Sequence, residues 1–346
     1  MQPTSSQAGL ARIMSRLRVT PVVVILLANV ILVLFFQLVA GQDLFALRTM
    51  ATLTPLLGVM VLVGLSQSFV IGTGGIDLSL PMTMTFMGIV ILKVSEGANE
   101  KLPQALLAGL VICIVIGVIN GFLIEVVGLN SFVTTLATGQ IFAGATIIYR
   151  GATMNTTKVP DALYSWAQSN FQGVSVILIT AVAVAVLISL FVRGTLGGRR
   201  LVAASASARA AKLLGFPQRF LRIGAWVISA CIAGAAGVLL AGQLASPDIT
   251  LGSPYLLSSI IVVVLGGAIL TGGRVGPLGT LLGAVFIILL DHGLSVMGLS
   301  TGARTFAQGA ILALGLAGVG YLRTARPPKT SRSLSAATKE EESQPA

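Results

Sequence analysis

Residues 103–127 read PQALLAGLVICIVIGVINGFLIEVV, 25 positions with one charge, Glu125, close to the end. A bilayer's hydrocarbon core, about 30 Å thick, takes about 20 consecutive apolar residues to cross as a helix, so this run is long enough. Comparable runs recur at 21–40, 47–71, 78–94, 132–149, 174–192, 223–242, 256–270, 275–297 and 305–322. The pattern predicts an all-α integral membrane protein with about ten transmembrane helices and both termini on one side. The run at 256–270 is the shortest, and Gly266-Gly267 inside it points to a broken or tilted helix.

Composition agrees. Of 346 residues, 55% are hydrophobic and 10% charged, against about 25% charged in an ordinary soluble domain. Ten spans with short connections use up the length, which leaves no room for a large extramembrane domain. Arg12, Arg16 and Arg18 ahead of the first run imitate a secretory signal. A signal's apolar region is about 7–15 residues, and 21–40 is longer, so it reads as an uncleaved first helix. Cys113 and Cys231 both sit in apolar runs, without metal-ligand spacing. Neither a disulfide nor a metal is expected.

The net charge of +11 could attract nucleic acid, but its distribution argues otherwise. With the N-terminus cytoplasmic, sixteen of the 22 Lys and Arg fall in inside segments and six outside, as the positive-inside rule requires. The expected organisation is a cytoplasmic segment 1–20, a transmembrane domain 21–322 with a cytoplasmic loop 193–222, and a disordered cytoplasmic tail 323–346. That tail is rich in Ser, Thr, Pro and Lys and ends in acids and small residues. Glycines at helix-packing spacing, Gly117 with Gly121 and Gly279 with Gly283, suit close helix contacts.

Three segments stand out. The loop 193–222 is strongly basic, with helix formers over 206–214, Ser205 or Ser207 as a cap, Gly215 as a stop and Pro217 just past it. Arg209 and Lys212 beside Ala210, Ala211 and Leu214 make either a docking surface for a cytosolic partner or a charge that holds topology and touches anionic lipid. The second segment, 72–81, reads GTGGIDLSLP. Asp77 or Ser79 there either caps the next helix, with Pro81 in its first turn, or serves transport as an ionisable group at the bilayer. The third, 265–279, reads LGGAILTGGRVGPLG, and its Thr271-Gly272-Gly273 echoes Thr73-Gly74-Gly75.

LTGGR at 270–274 imitates an ATPase signature, yet no lysine follows the glycine that a phosphate-binding loop requires. Energy must therefore come from another subunit. A single histidine and no catalytic cluster leave nothing for an enzyme, and no cofactor is expected. Asp77, Glu125, Asp291 and His292 all fall near span ends, with Asp291-His292 reading as an outer-interface pair, whereas ion-coupled carriers place such groups near the midplane. What remains within the spans is neutral and polar: Asn29, Gln37, Gln67, Asn120, Thr134, Thr135, Thr138, Gln140, Ser258 and Ser259. These suit a neutral polar solute or hydrogen bonds between helices.

Several of these stretches occur together in one family. VIGTGGIDLS at 70–79, Asn120-Gly121, FVTTLAT at 132–138, the loop 198–215 with Ala210-Ala211, and LGGAILTGGRVGPLGTLLGA at 265–284 together resemble the permease subunits of ribose-type ABC importers. The resemblance implies import of a monosaccharide, with a furanosyl quorum signal, a polyol or a nucleoside as alternatives; an ion-coupled secondary carrier is the rival of another class. It implies a cytosolic ABC ATPase, a periplasmic solute-binding protein and a second permease subunit, identical or homologous, as partners, in contact with membrane lipid and not nucleic acid. It implies ATPase coupling through Ser207, Arg209, Ala210, Ala211, Lys212 and Gly215. The matched translocation or structural positions are Gly74, Gly75, Asp77, Ser79, Asn120, Thr134, Thr138, Gly266, Gly267, Gly272, Gly273 and Arg274. The sequence departs from the family at Ala206-Ser207, where Gly-Asn is usual, and at Asn130-Ser131, where proline is common.

Overall fold

A computed structural model describes residues 21–38, 41, 43–151, 158–206, 217–268, 270, 272–273 and 276–324. Each of the ten apolar runs contains a helix: α1 (Pro21–Leu38), α2 (Leu47–Gly72), α3 (Leu80–Ser95), α4 (Leu102–Glu125), α5 (Ser131–Arg150), α7 (Val176–Gly194), α9 (Gln218–Leu244), α10 (Tyr255–Leu265), α11 (Pro277–Val296) and α12 (Thr301–Thr324). Two short helices lie between them, α6 (Asp161–Gln168) and α8 (Leu196–Ala206), with a hairpin of β1 (Asn170–Phe171) and β2 (Val174–Ser175). Among the described residues six helices, α2, α4 (with the 3₁₀ turn before it), α5, α7, α9 and α11, are long and apolar enough to cross a membrane. α10 has only 11 residues, about 16 Å at 1.5 Å per residue, and stops where Gly266-Gly267 interrupts it.

The chain divides into two compact units. Residues 19–311 form one and carry everything that follows. In the other, residues 1–18 with 312–346, the described part is the end of α12, helical through Thr324.

Burial explains why these runs become a bundle. α4 sets Leu107, Val111, Val115, Val118 and Phe122 outward and uncovered, while Gly109, Cys113, Gly117, Asn120 and Gly121 are buried on the other side. An apolar stripe at helical spacing, with no polar side chain over it, is a surface for lipid. α2 is the central helix, buried almost throughout from Leu53 to Gly72.

Lipid gives helices no hydrophobic reason to associate, so small residues must let backbones close up. A Cβ on Gly58 would stand 2.7 Å from the backbone of Ile177, and one on Gly121 3.0 Å from Ile223 Cα. Gly117 lies against Val227, Gly279 against Gly266 and Gly283 against Val262. Buried hydroxyls and amides bridge the same contacts. Ser66 Oγ donates to Ser229 O at 2.8 Å, Ser68 Oγ meets Thr280 Oγ1 at 3.0 Å, and Asn29 Nδ2 donates to Leu282 O at 3.0 Å.

At the end of the bundle where α2 begins, connections are pinned by single side chains. Thr54 Oγ1 donates to Gly173 O at 3.1 Å and accepts from Ser175 N at 2.9 Å, fixing the hairpin on α2. Asn99 Oδ1 accepts Ala162 N at 2.9 Å, capping α6 from a distant turn. Asp291, read with His292 as a pair at the outer interface, also enters a wider network. Asp291 binds Arg304 at 2.8 Å and Gln308 at 3.3 Å, and Gln308 accepts from Ser258 at 3.2 Å, tying α10, α11 and α12 together.

Close packing yields a direct expectation. Gly283→Leu should cost about 1–3 kcal/mol of stability, the usual range for overpacking. Gly144→Leu, whose Cβ meets nothing within 4 Å, should change little. Thermal unfolding of both purified variants in detergent checks the contrast.

Candidate functional site

The α2 helix ends among its neighbours, not at a free surface. Thr73 caps it and Gly74 takes φ +85°, a left-handed conformation that suits glycine. Gly74 N then donates to Ile71 O at 2.9 Å and Gly75 N to Val70 O at 3.1 Å. These two bonds make a Schellman motif. The carbonyls beyond it would be orphaned at depth, but other elements supply donors: Gly273 N reaches Gly72 O at 3.0 Å, and the Arg222 guanidinium bonds Thr73 O.

α10 ends in the same way. Gly267 adopts φ +92°, its N–H donates to Val264 O at 2.9 Å, and Ala268 N donates to Val263 O at 3.1 Å. The structural counterpart of Gly74-Gly75 is therefore Gly267-Ala268, and not the second Thr-Gly-Gly echo. Gly272 and Gly273 lie in the open connection, with φ +92° and +122°. There they meet the first loop: a Cβ on Gly272 would come within 3.1 Å of Gly74 N. The two glycine-rich segments thus touch through backbone, a contact their similarity in sequence did not imply.

From Gly75 to Ser79 the first loop is held by side chains from four helices. Gln67, with its amide oriented to match, donates to Asp77 O and accepts from Asp77 N, both at 3.2 Å. Thr135 Oγ1 accepts Leu78 N at 2.9 Å, and Ser131 Oγ accepts Ile76 N at 3.3 Å. Asn120 Nδ2 donates to Ser79 Oγ at 3.0 Å. Trp226 closes the side: a Cβ on Gly75 would stand 2.9 Å from its ring.

Asp77 is buried, and its Oδ1 accepts both Ser79 N at 2.8 Å and Ser79 Oγ at 2.6 Å. Ser79 already has helical angles, φ −79° and ψ −15°, and its hydroxyl makes no capping bond to α3. The expected cap is thus a turn closed by Asp77 ahead of the helix, with Pro81 in the first turn as anticipated.

Arg222, which bonds Thr73 O, is held in turn by Glu125. Arg222 Nε lies 3.0 Å from Glu125 Oε2, and Trp226 Nε1 donates to Glu125 Oε1 at 3.3 Å. Glu125 is nearly enclosed, its side chain 6% exposed. In the sequence Arg222 is one basic residue of the loop 193–222 and Glu125 an acid near a span end, with nothing local to join them. The signal was a lone acid closing an apolar run, since such a group needs a partner.

Of the motif residues, Gly74, Gly75, Asp77, Ser79 and Asn120 come together, and Gly272 and Gly273 meet this loop at Gly74 and Gly72, while Gly266 packs on Gly279 and Gly267 closes the turn after α10. Thr134 and Thr138 stay apart from this cluster. Their hydroxyls bond Asn130 O at 2.8 Å and Thr135 O at 3.3 Å, within α5 and its cap, and the work facing the loop falls to Thr135 and Ser131. Asn130-Ser131, the departure from the family pattern, has a use here: Asn130 Oδ1 caps α5 at Phe132 N, 2.9 Å away. Gln140 is exposed.

Arg274 and the coupling residues Ser207, Arg209, Ala210, Ala211, Lys212 and Gly215 lie outside the described residues. So does most of the helix expected over 206–214. The helix that is described there, α8, starts earlier and is capped by Thr195, whose Oγ1 accepts Gly198 N at 3.0 Å. Ser205 is therefore inside a helix, bonded to Leu201 O at 2.8 Å.

The arrangement joins neutral amides and hydroxyls, one internally satisfied aspartate and one ion pair around two broken helix ends. Such a site can hold and release a loop. The family described as branched-chain amino acid transport system / permease component matches residues 49–316.

The chain belongs to this permease family. The "Probable ABC transporter permease protein" of Sinorhizobium fredii is 31% identical over 257 residues, covering 74% of this chain and 75% of the relative. The ribose import permease protein of Bacillus subtilis is 30% identical, covering 72% and 78%. The autoinducer 2 import system permease protein of Salmonella typhimurium is 29% identical, covering 72% and 77%. No solved structure matches. The permease is a multi-pass protein of the bacterial inner membrane, and the family resemblance read from its motifs is confirmed.

The ion pair at the permease's loop gives a test. Arg222→Met leaves Glu125 buried without its partner and should cost about 3–5 kcal/mol, the usual penalty for half of a buried pair. Pairing it with Glu125→Gln should recover much of that loss. Denaturant unfolding of the single and double variants measures the coupling.

Proposed function

We propose that this permease is the membrane subunit of an ABC importer for a monosaccharide of the ribose type. The similarity to the ribose import permease over 72% of the chain carries the reading. A bundle whose buried polar groups are mostly hydroxyls and amides supports it, because these suit a neutral polyhydroxylated solute. The match to an autoinducer 2 permease at nearly the same identity favours a furanosyl signal as the second reading.

The proposed topology is ten spans with both termini in the cytoplasm, residues 21–322 forming the transmembrane domain. α3 and α10 are its short spans, completed by the loops that follow or precede them. A second permease subunit completes the path, a periplasmic binding protein delivers the solute, and cytosolic ATPase subunits dock on the loop 193–222 through Ser207, Arg209, Ala210, Ala211, Lys212 and Gly215. The inner gate is the contact of Gly72 and Gly74 with Gly272 and Gly273. Backbone joins the two segments at Gly273 N and Gly72 O, and a net hydrogen bond is worth only about 0.5–1.5 kcal/mol. ATP-driven rocking of the helices can break such a contact while the Glu125–Arg222 pair holds its base.

In cells lacking this chain, uptake of one labelled sugar from a panel should fall at least about tenfold. In cells that carry it, the same uptake should follow ATP and survive collapse of the ion gradient. Uptake that follows the gradient would instead identify an ion-coupled carrier. Gly272→Val, strained at φ +92° and pressed on Gly74, should abolish uptake while the protein still reaches the membrane, as membrane-fraction immunoblotting would show.

A further inference from the structure

At the end of the bundle that carries the two glycine-rich segments, α2, α7, α8 and the start of α11 surround a cavity of about 490 Å³. Its apolar wall includes Leu65 and Phe69 of α2, Ile188 and Val192 of α7, and Leu201 and Val202 of α8. Two arginines line the same cavity, Arg193 in the last turn of α7 and Arg199 in α8, with hydroxyls from Ser68, Ser189 and Ser205. Among the described residues no carboxylate lines it.

Neither arginine has an acidic partner among the described residues. Among the described residues the Arg199 guanidinium reaches Gly194 O at 3.5 Å. A second cavity of about 350 Å³ shares Ser189, Arg193, Gly276 and Pro277 with the first and runs on past Leu278 to Val22 of α1. Arg193 thus stands between two hollows, and α7 turns Val186, Leu187 and Leu190 outward to lipid beside them.

This combination selects one kind of ligand. Two guanidinium groups without acids match a phosphate, which they bind through paired N–H donors. A free phosphate has no use for the apolar walls, and a neutral lipid has none for the arginines. We infer that the paired cavities hold one anionic phospholipid, its phosphate between Arg193 and Arg199 and an acyl chain along Leu65, Phe69, Ile188 and Val192. Gly72 and Gly273 line the same cavity, so the lipid touches the backbone contact between the two segments. In the proposed orientation this end faces the cytoplasmic leaflet.

The test uses the full chain, delipidated in neutral detergent and examined by native mass spectrometry with added phosphatidylglycerol, phosphatidylcholine or inorganic phosphate. Phosphatidylglycerol should be retained about tenfold more than phosphatidylcholine. Arg193→Gln with Arg199→Gln should abolish that preference, and Ser189→Phe, which keeps both arginines and fills the space, should remove the bound lipid. Thermal unfolding checks that the variants are folded. Equal retention of the two lipids, a preference that persists in either variant, or displacement of the lipid by millimolar inorganic phosphate would overturn the assignment. The readout needs no transport, so its failure is distinct from failure of the importer reading.

Discussion

A backbone carbonyl or N–H inside a bilayer must find its hydrogen-bond partner within the protein. The end of α2 places that demand where α4 ends and α5 and α9 begin, because the helix stops at Gly72 and Thr73 beyond it is buried. Two bonds come from the chain's own Schellman turn, one from Gly273 and one from Arg222. Gln67, Asn120, Ser131 and Thr135 supply the rest of the loop. Among the described residues, buried Gln67, Thr73, Asp77, Ser79, Asn120 and Thr135 are thus all engaged at one interrupted helix and the turn that leaves it.

The same constraint explains how charge is used. Glu125 and Arg222 neutralise each other where α4 and α9 meet, and Trp226 both bonds the acid and packs on Gly75. Asp77 is satisfied within its own turn by Ser79. Helix faces turned to lipid carry Leu, Val, Ile and Phe, whereas contacts between helices carry Gly, Ser and Thr. This reverses the pattern of a soluble protein, as it must when the surrounding solvent is hydrocarbon and close backbone approach supplies the attraction. The two loops are joined to one another by backbone, and the ion pair between α4 and α9 anchors the first of them through Arg222 and Thr73.

Several features were legible before any coordinates. Uncharged runs of sufficient length announced the helices, and glycines four apart marked Gly117, Gly121, Gly279 and Gly283 as contact positions. The interruption at Gly266-Gly267 could be anticipated from glycine alone. Other details were not legible, for identifiable reasons. Ser79 looked like a cap because of its place before a helix, yet its conformation and its neighbour Asp77 drew the hydroxyl away. The echo of Thr-Gly-Gly left the relation between the two segments open, and the structure places Gly272 and Gly273 beyond the end of α10 and not at it. Asp291 beside His292 was visible as a pair in the sequence, but Arg304 and Gln308, which reach it from the next helix, were not.

What the sequence by itself determined was the class of molecule. The apolar runs, the placement of basic residues and the ordered motifs establish a membrane permease, because the length of a span and the cost of charge in hydrocarbon are properties of the chain's own composition. Only the tertiary structure decided which polar groups meet: Asn120 with Ser79, Glu125 with Arg222, Gly273 with Gly72. Those partners are 41, 97 and 201 positions apart in the chain. No local periodicity encodes such pairings, because they depend on which helix faces turn toward each other once the bundle has packed.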